Sequence, residues 1–104
     1  MNIIAFDGTK VMLTEERWKH IVFRHPELDN KSAVVLNTVA NPDEVYIDVV
    51  GAFHVLRRLA NEVSDYLVVI SLRENREGYI RTAFYTSYRR KNRRYKLFRR
   101  LKPS

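Results

Sequence analysis

The chain has 104 residues, with 19 Lys or Arg, 12 Asp or Glu and no Cys, giving a formal net charge of +7. This is the size of one domain, and an apolar share of 45% is enough to build a core. Without cysteine there is neither a disulfide framework nor a thiolate metal site, and no apolar run approaches the roughly 18 residues of a membrane span.

The first ten residues lack a basic start followed by an apolar stretch, so no signal peptide is expected and the anticipated location is cytoplasmic. "NIIAF" and "KVMLT" read as short strands around the turn residues Asp7 and Gly8. A helix follows, with Thr14 as its cap and Glu15 and Glu16 at the positive end of its dipole. Trp18, Ile21 and Val22 form its buried stripe. Pro26 stops it near Arg24, because the residue before proline avoids helical geometry. A second helix is predicted from about Lys31 to Ala40, capped by Asp29 or Asn30 and stopped at "NPDE".

The remainder reads as sheet. "EVYIDVV" and "AFHVLRRLA" are strands, and a turn is expected at "NEVSD". "YLVVISL" is the most apolar run and so a central strand. The polar turn "RENREG" leads into "YIRTAFYTSY", where strict alternation puts Ile80, Thr82, Phe84 and Thr86 on one face and Tyr79, Arg81, Ala83 and Tyr85 on the other. Helices followed by hairpin-linked strands predict an α+β fold, with N-terminal helices on a four- to five-stranded, mainly antiparallel sheet. Residues 1–88 make the domain. Residues 89–104 are a basic C-terminal segment, either part of that domain or an appendage, with strand, helix and partial disorder all open.

Charge is unevenly placed. Nine Lys or Arg and no acid fall within residues 89–102, leaving 10 basic and 12 acidic residues elsewhere. A near-neutral body with a basic end points to a polyanion, most often nucleic acid. Tyr88, Tyr95 and Phe98 interleave with these charges, and aromatics stack on unpaired bases while Arg holds phosphates. Arg89, Arg90, Arg93 and Arg94 are therefore candidate substrate-binding residues.

Residues 20–28, "HIVFRHPEL", hold two of the three histidines. His20 and Arg24 share a helix face at i and i+4, whereas His25 falls near the buried stripe and should turn toward the sheet. A zinc site is not expected, since His20 and His25 are not at i, i+4 and no HExxH motif occurs. Phosphate loops, dinucleotide fingerprints and GxSxG turns are absent, so no cofactor is implied. Acid–base chemistry on RNA remains. RNA carries its own 2′-hydroxyl nucleophile. Imidazole titrates near working pH, and Arg donates a planar pair of hydrogen bonds to developing charge.

The set "LTEERWKHIVFRHPEL", "VLNTVANPDEVY" and "YIRTAFYTS" resembles the phage-type members of the superfamily grouping barnase, EndoU, colicins E5 and D, and RelE. The likeness covers roughly residues 11–87. It implies one or two N-terminal helices on a four-stranded antiparallel sheet, and metal-independent RNA cleavage, often as a toxin with a protein inhibitor (an antitoxin) as partner. It places His20, Arg24 and His25 at the helix-end motif and Thr82 at the strand motif. Phe84 stands where relatives commonly carry tyrosine. Arg81 and Tyr85 join on chemical grounds as phosphate or base contacts. His54, between Phe53 and Val55, reads as structural, and adjacent Arg57 and Arg58 must face opposite sides of their strand. The expected activity is that of an endoribonuclease. Two alternatives stay open: a non-catalytic nucleic-acid-binding module on the same scaffold, and a protein-interaction domain whose tail meets an acidic partner.

Overall fold

The computed structural model describes residues 1–60 and 64–102. Strands β1 (Asn2–Ile4) and β2 (Lys10–Met12) pair antiparallel around a turn in which Gly8 adopts a φ of +89°. Helix α1 (Glu15–Arg24) starts as its sequence dictates, the Thr14 hydroxyl accepting the Arg17 N–H at 3.1 Å. It buries Ile21 and half-buries Trp18 against the core. It stops at Arg24, and Pro26 opens a single 3₁₀ turn, Pro26–Leu28. Helix α2 (Ser32–Ala40) corrects the expected cap: Lys31 stands at its N-cap without a side-chain bond, while Asn30 reverses the chain at φ 65°. Asp29 instead closes the 3₁₀ turn, donating its N–H to Pro26 O at 3.1 Å.

Strands β3 (Glu44–Ile47), β4 (Phe53–Arg58), β5 (Tyr66–Glu74) and β6 (Glu77–Thr86) follow, then helix α3 (Tyr88–Tyr95) and strand β7 (Arg99–Lys102). The fold is α+β, but two particulars differ from expectation. Among the described residues the sheet has seven strands in the order β1-β2-β6-β5-β4-β3-β7, and it is mixed, since β2 runs parallel to β6. A third helix also lies C-terminal, within the basic segment. The two N-terminal strands extend the sheet because Gly78 lets β2 close on β6: a Cβ there would stand 3.1 Å from Val11 Cγ2. The apolar run in β5 does take the central position. Residues 61–63 of the expected "NEVSD" turn lie outside the described residues.

The sheet is covered on both faces. Helices α1 and α2 enclose Val11, Leu13, Ile21, Val35, Val39, Val55, Leu67 and Val69 on one side. On the other, Tyr95 of α3 joins Tyr46, Leu56, Tyr66, Val68 and Ile70. This second cluster explains why β5 is apolar from Tyr66 to Ile70: its odd and even residues there are both buried. Opposite-facing arginines on β4 behave as predicted. Arg57 reaches Asn37 of α2 at 3.0 Å, and Arg58 reaches Glu44 at 3.3 Å.

The alternation predicted for β6 fails at one point. Ile70 pairs with Thr82 but Ser71 pairs with Ile80, so Arg81 is the extra residue of a β-bulge. Ile80 consequently shares the α1/α2 face with Ala83 and Tyr85, while Thr82 and Phe84, opposite Ile70 and Val68, share the α3 face.

Candidate functional site

Two helices meet at β6. β2 covers only Glu77–Tyr79, so among the described residues no strand pairs with that side of Ile80–Thr86. The C-terminal end of α1 occupies that edge. His25, the C-cap residue, donates its backbone N–H to Ile21 O at 2.8 Å and is held at φ −134°, ψ 73° by the following proline. Its ring lies 6.1 Å from that of Phe84, centroid to centroid, with the planes tilted by 36°. From α3, the Arg94 guanidinium sits over the same phenyl ring at 5.1 Å. Phe84 thus touches the imidazole of one helix and the cation of another.

Beside this contact lies a cavity of about 300 Å³, lined by Phe84, Tyr85, Thr86, Arg90, Arg93 and Arg94. Its arginines come from one flank of α3, a helix set up by local chemistry. The Ser87 hydroxyl accepts the Arg90 N–H at 3.2 Å, and Lys91 and Tyr95, four apart, face the sheet. Arg90, Arg93 and Arg94 are left exposed around the cavity mouth.

The other predicted site residues divide. His25 turns toward the sheet, as the helix geometry required. His20 and Arg24 are exposed, and His20 lines a separate depression with Thr14, Glu16, Arg17 and Lys19. Thr82 is half-buried on the face of Phe84, two residues before it, and does not line the cavity. Arg81 is exposed at the bulge, on neither alternating face. Tyr85 packs against the α1/α2 core and also borders the cavity, so the bulge and the strand edge let both faces of β6 contribute. Arg89 is exposed on α3 outside the cavity lining.

His54 is structural in detail. Its Nδ1 lies 2.9 Å from the Tyr95 hydroxyl and its Nε2 2.9 Å from Asp48 Oδ2. A neutral imidazole satisfies both: Nε2–H donates to the carboxylate and Tyr95 O–H donates to Nδ1. Burial lowers the His54 pKa, the Asp48 carboxylate only partly opposing it. Burial likewise pushes the Tyr95 hydroxyl up to about 12. Among the described residues, no three His, Asp or Glu side chains gather in a metal-binding group.

Sequence reasoning missed the ion pair that seats α3. Lys91 Nζ is 2.5 Å from Glu44 Oε1, and both residues are buried, at 7% and 1% exposure. Glu44 also accepts from the Tyr46 hydroxyl at 2.7 Å. Burial raises the Glu44 pKa, but the hydrogen bonds from Lys91 and Tyr46 outweigh it and hold the carboxyl below its ordinary value. The available signal was Ser87 as a cap, with Lys91 and Tyr95 on one stripe after it. Nine clustered charges concealed that stripe.

No protein-family model, curated protein or solved structure matches the chain.

Proposed function

We propose that this chain is a metal-independent endoribonuclease that cleaves by attack of the RNA 2′-hydroxyl. The observation that carries the reading is the junction at Phe84, whose ring meets the His25 imidazole and the Arg94 guanidinium and lines one cavity with Arg90, Arg93 and Arg94. The resemblance of the helix-end motif to the barnase/EndoU/colicin/RelE-like nucleases, toxins among them, supports it.

In this mechanism His25 handles one proton, taking it from the 2′-hydroxyl or giving it to the departing 5′-oxygen, and solvent water exchanges the other. The 2′-oxygen bonds to phosphorus as the 5′-oxygen leaves, giving a 2′,3′-cyclic phosphate and a 5′-hydroxyl. Arg94 and Arg90 stabilise the charge on the non-bridging oxygens, and Thr82 hydrogen-bonds the phosphate from the same face of β6. His20 and Arg24 act from the exposed flank of α1, on the RNA that extends past the cavity. Arg93 and Arg89 grip flanking phosphates, with Arg81 and Tyr85 contacting the substrate at the strand edge.

One observation favours the second reading, a nucleic-acid-binding module without catalysis: no histidine is in the cavity lining, His25 meets it only through the Phe84 ring, and His20 lines a different surface. The experiment that separates the two is cleavage of single-stranded RNA by purified protein in excess chelator. Cleavage leaving a cyclic phosphate, no action on DNA, and a loss of about 100-fold or more in His25→Ala are expected. Tight binding without cleavage establishes the binding module instead. Equal activity in wild type and His25→Ala refutes the assignment of His25.

A further inference from the structure

The far edge of the sheet carries a second surface, independent of RNA cleavage. Asp48 ties the loop after β3 to itself. Its Oδ1 accepts the N–H groups of Val50 at 3.0 Å and Ala52 at 2.9 Å, while its Oδ2 holds the buried His54. Gly51 completes the turn at φ +87°. This fastened loop holds Val49 at 103% and Val50 at 79% exposure, and Leu97, just beyond α3, is 94% exposed. Three large aliphatic side chains presented by ordered backbone are costly in water and mark an interaction surface. Between Val49 and Leu97 lies a cavity of about 360 Å³, lined also by Ile47, Asp48, Phe98 and Arg99.

Arg99 begins β7, the last strand of the sheet. It pairs with β3 on one side, and no described strand pairs with the other. An open edge offers unpaired backbone N–H and C=O groups to an incoming strand. Arg99, Arg100 and Lys102 are all exposed along it, and the nearby acid Asp48 is engaged with His54.

We propose that β7 and the Val49–Leu97 cavity together bind an extended acidic polypeptide segment. It adds a strand to β7, places one apolar side chain in the cavity, and pairs its carboxylates with Arg99, Arg100 and Lys102. RNA fits this surface poorly: it cannot reproduce a β-ladder, and Phe98, the aromatic in the lining, is packed edge-on against His54 and Tyr95. A second copy of this chain is opposed by charge, since edge-to-edge pairing would set the three cations of one β7 against those of the other. The β7 edge is also apart from β6, although the Val49–Leu97 cavity begins only three residues after Arg94. Four strand spacings separate β6 from β7, roughly 19 Å at about 4.8 Å each.

The test is selection of a displayed library of random decapeptides against the whole chain, followed by amide chemical-shift mapping with the best synthetic peptide. Enriched sequences should alternate acidic and apolar residues, and shifts should concentrate at Arg99–Lys102 and around Val49 and Leu97. The double variant Val49→Ser with Leu97→Ser should lose about tenfold or more in peptide affinity, the scale of removing an apolar anchor, while RNA cleavage stays unchanged. Failure to enrich acidic sequences, shifts elsewhere, equal affinity in the double variant, displacement of the peptide by hexauridylate, or dimerisation through β7 in sedimentation would each overturn the proposal.

Discussion

Three histidines of one chain have three different environments, and that difference decides what each can do. His25 caps a helix against Phe84, His20 stands exposed, and His54 is enclosed between Asp48 and Tyr95. The enclosure has a measurable consequence. The His54 pKa is lowered by burial from its ordinary value of 6.5, so the unfolded chain binds this proton more readily than the folded one. The sign follows directly: the stabilisation is fully present above about pH 6.5 and is lost as pH falls through the lower, folded value. Urea unfolding midpoints should therefore decline between pH 7 and pH 5. In His54→Gln, which has no proton to gain there, this decline should shrink even though the variant is less stable at pH 7. An unchanged slope would show that His54 does not carry the effect.

Helix α3 shows why a run of basic residues cannot be treated as one surface. Its outward flank supplies Arg90, Arg93 and Arg94, while its inward stripe inserts Lys91 and Tyr95 into the second core. Tyr95 stacks on Tyr46 at 4.7 Å, and Phe98 meets Tyr95 edge-on at 4.8 Å. Removing residues 89–104 would strip this face of the sheet as well as its charge, so truncation confounds RNA grip with folding. Lys91→Met is the sharper probe. It removes the buried cation beside the Glu44 carboxylate, leaving only the exposed Arg58 at 3.3 Å, and should cost about 3 kcal/mol of stability by denaturant unfolding, the low end for a broken buried pair. Lys91→Met combined with Glu44→Gln should recover part of that loss, because no buried charge is then left unpaired. A cost below about 1 kcal/mol for the single variant would mean that the pair does not seat the helix.

At the scale of the whole molecule, the basic segment divides between two places on the sheet: the arginines of α3 near β6, third in the strand order, and those of β7 at one edge. Polyanion binding should follow only the first set. With single-stranded RNA, log affinity should fall linearly with log salt, at about 0.7 per neutralised phosphate. Arg90→Gln with Arg93→Gln should flatten that slope by about 1.4, two phosphate contacts, whereas Arg99→Gln with Lys102→Gln should leave it nearly unchanged. Fluorescence anisotropy from 50 to 200 mM salt measures both. Equal flattening in the two variants would make the basic segment one continuous phosphate track.

Local sequence determined the parts of this protein that depend on neighbouring residues. Thr14 starts α1 and Pro26 stops it, the apolar run of β5 makes a central strand, and the i, i+7 relation to Trp18 turns His25 inward. These rest on backbone sterics and helical or strand periodicity, which act over a few residues. Tertiary structure alone decided the rest. The parallel pairing of β2 with β6 joins segments more than sixty residues apart, and the bulge at Arg81 exists only relative to β5. The burial of Lys91 on α3 needed Glu44 from β3, since a lysine becomes internal only where a distant carboxylate meets it. The meeting of His25 with Phe84 and Arg94 likewise depends on three elements arriving at one edge, and no local rule encodes their convergence.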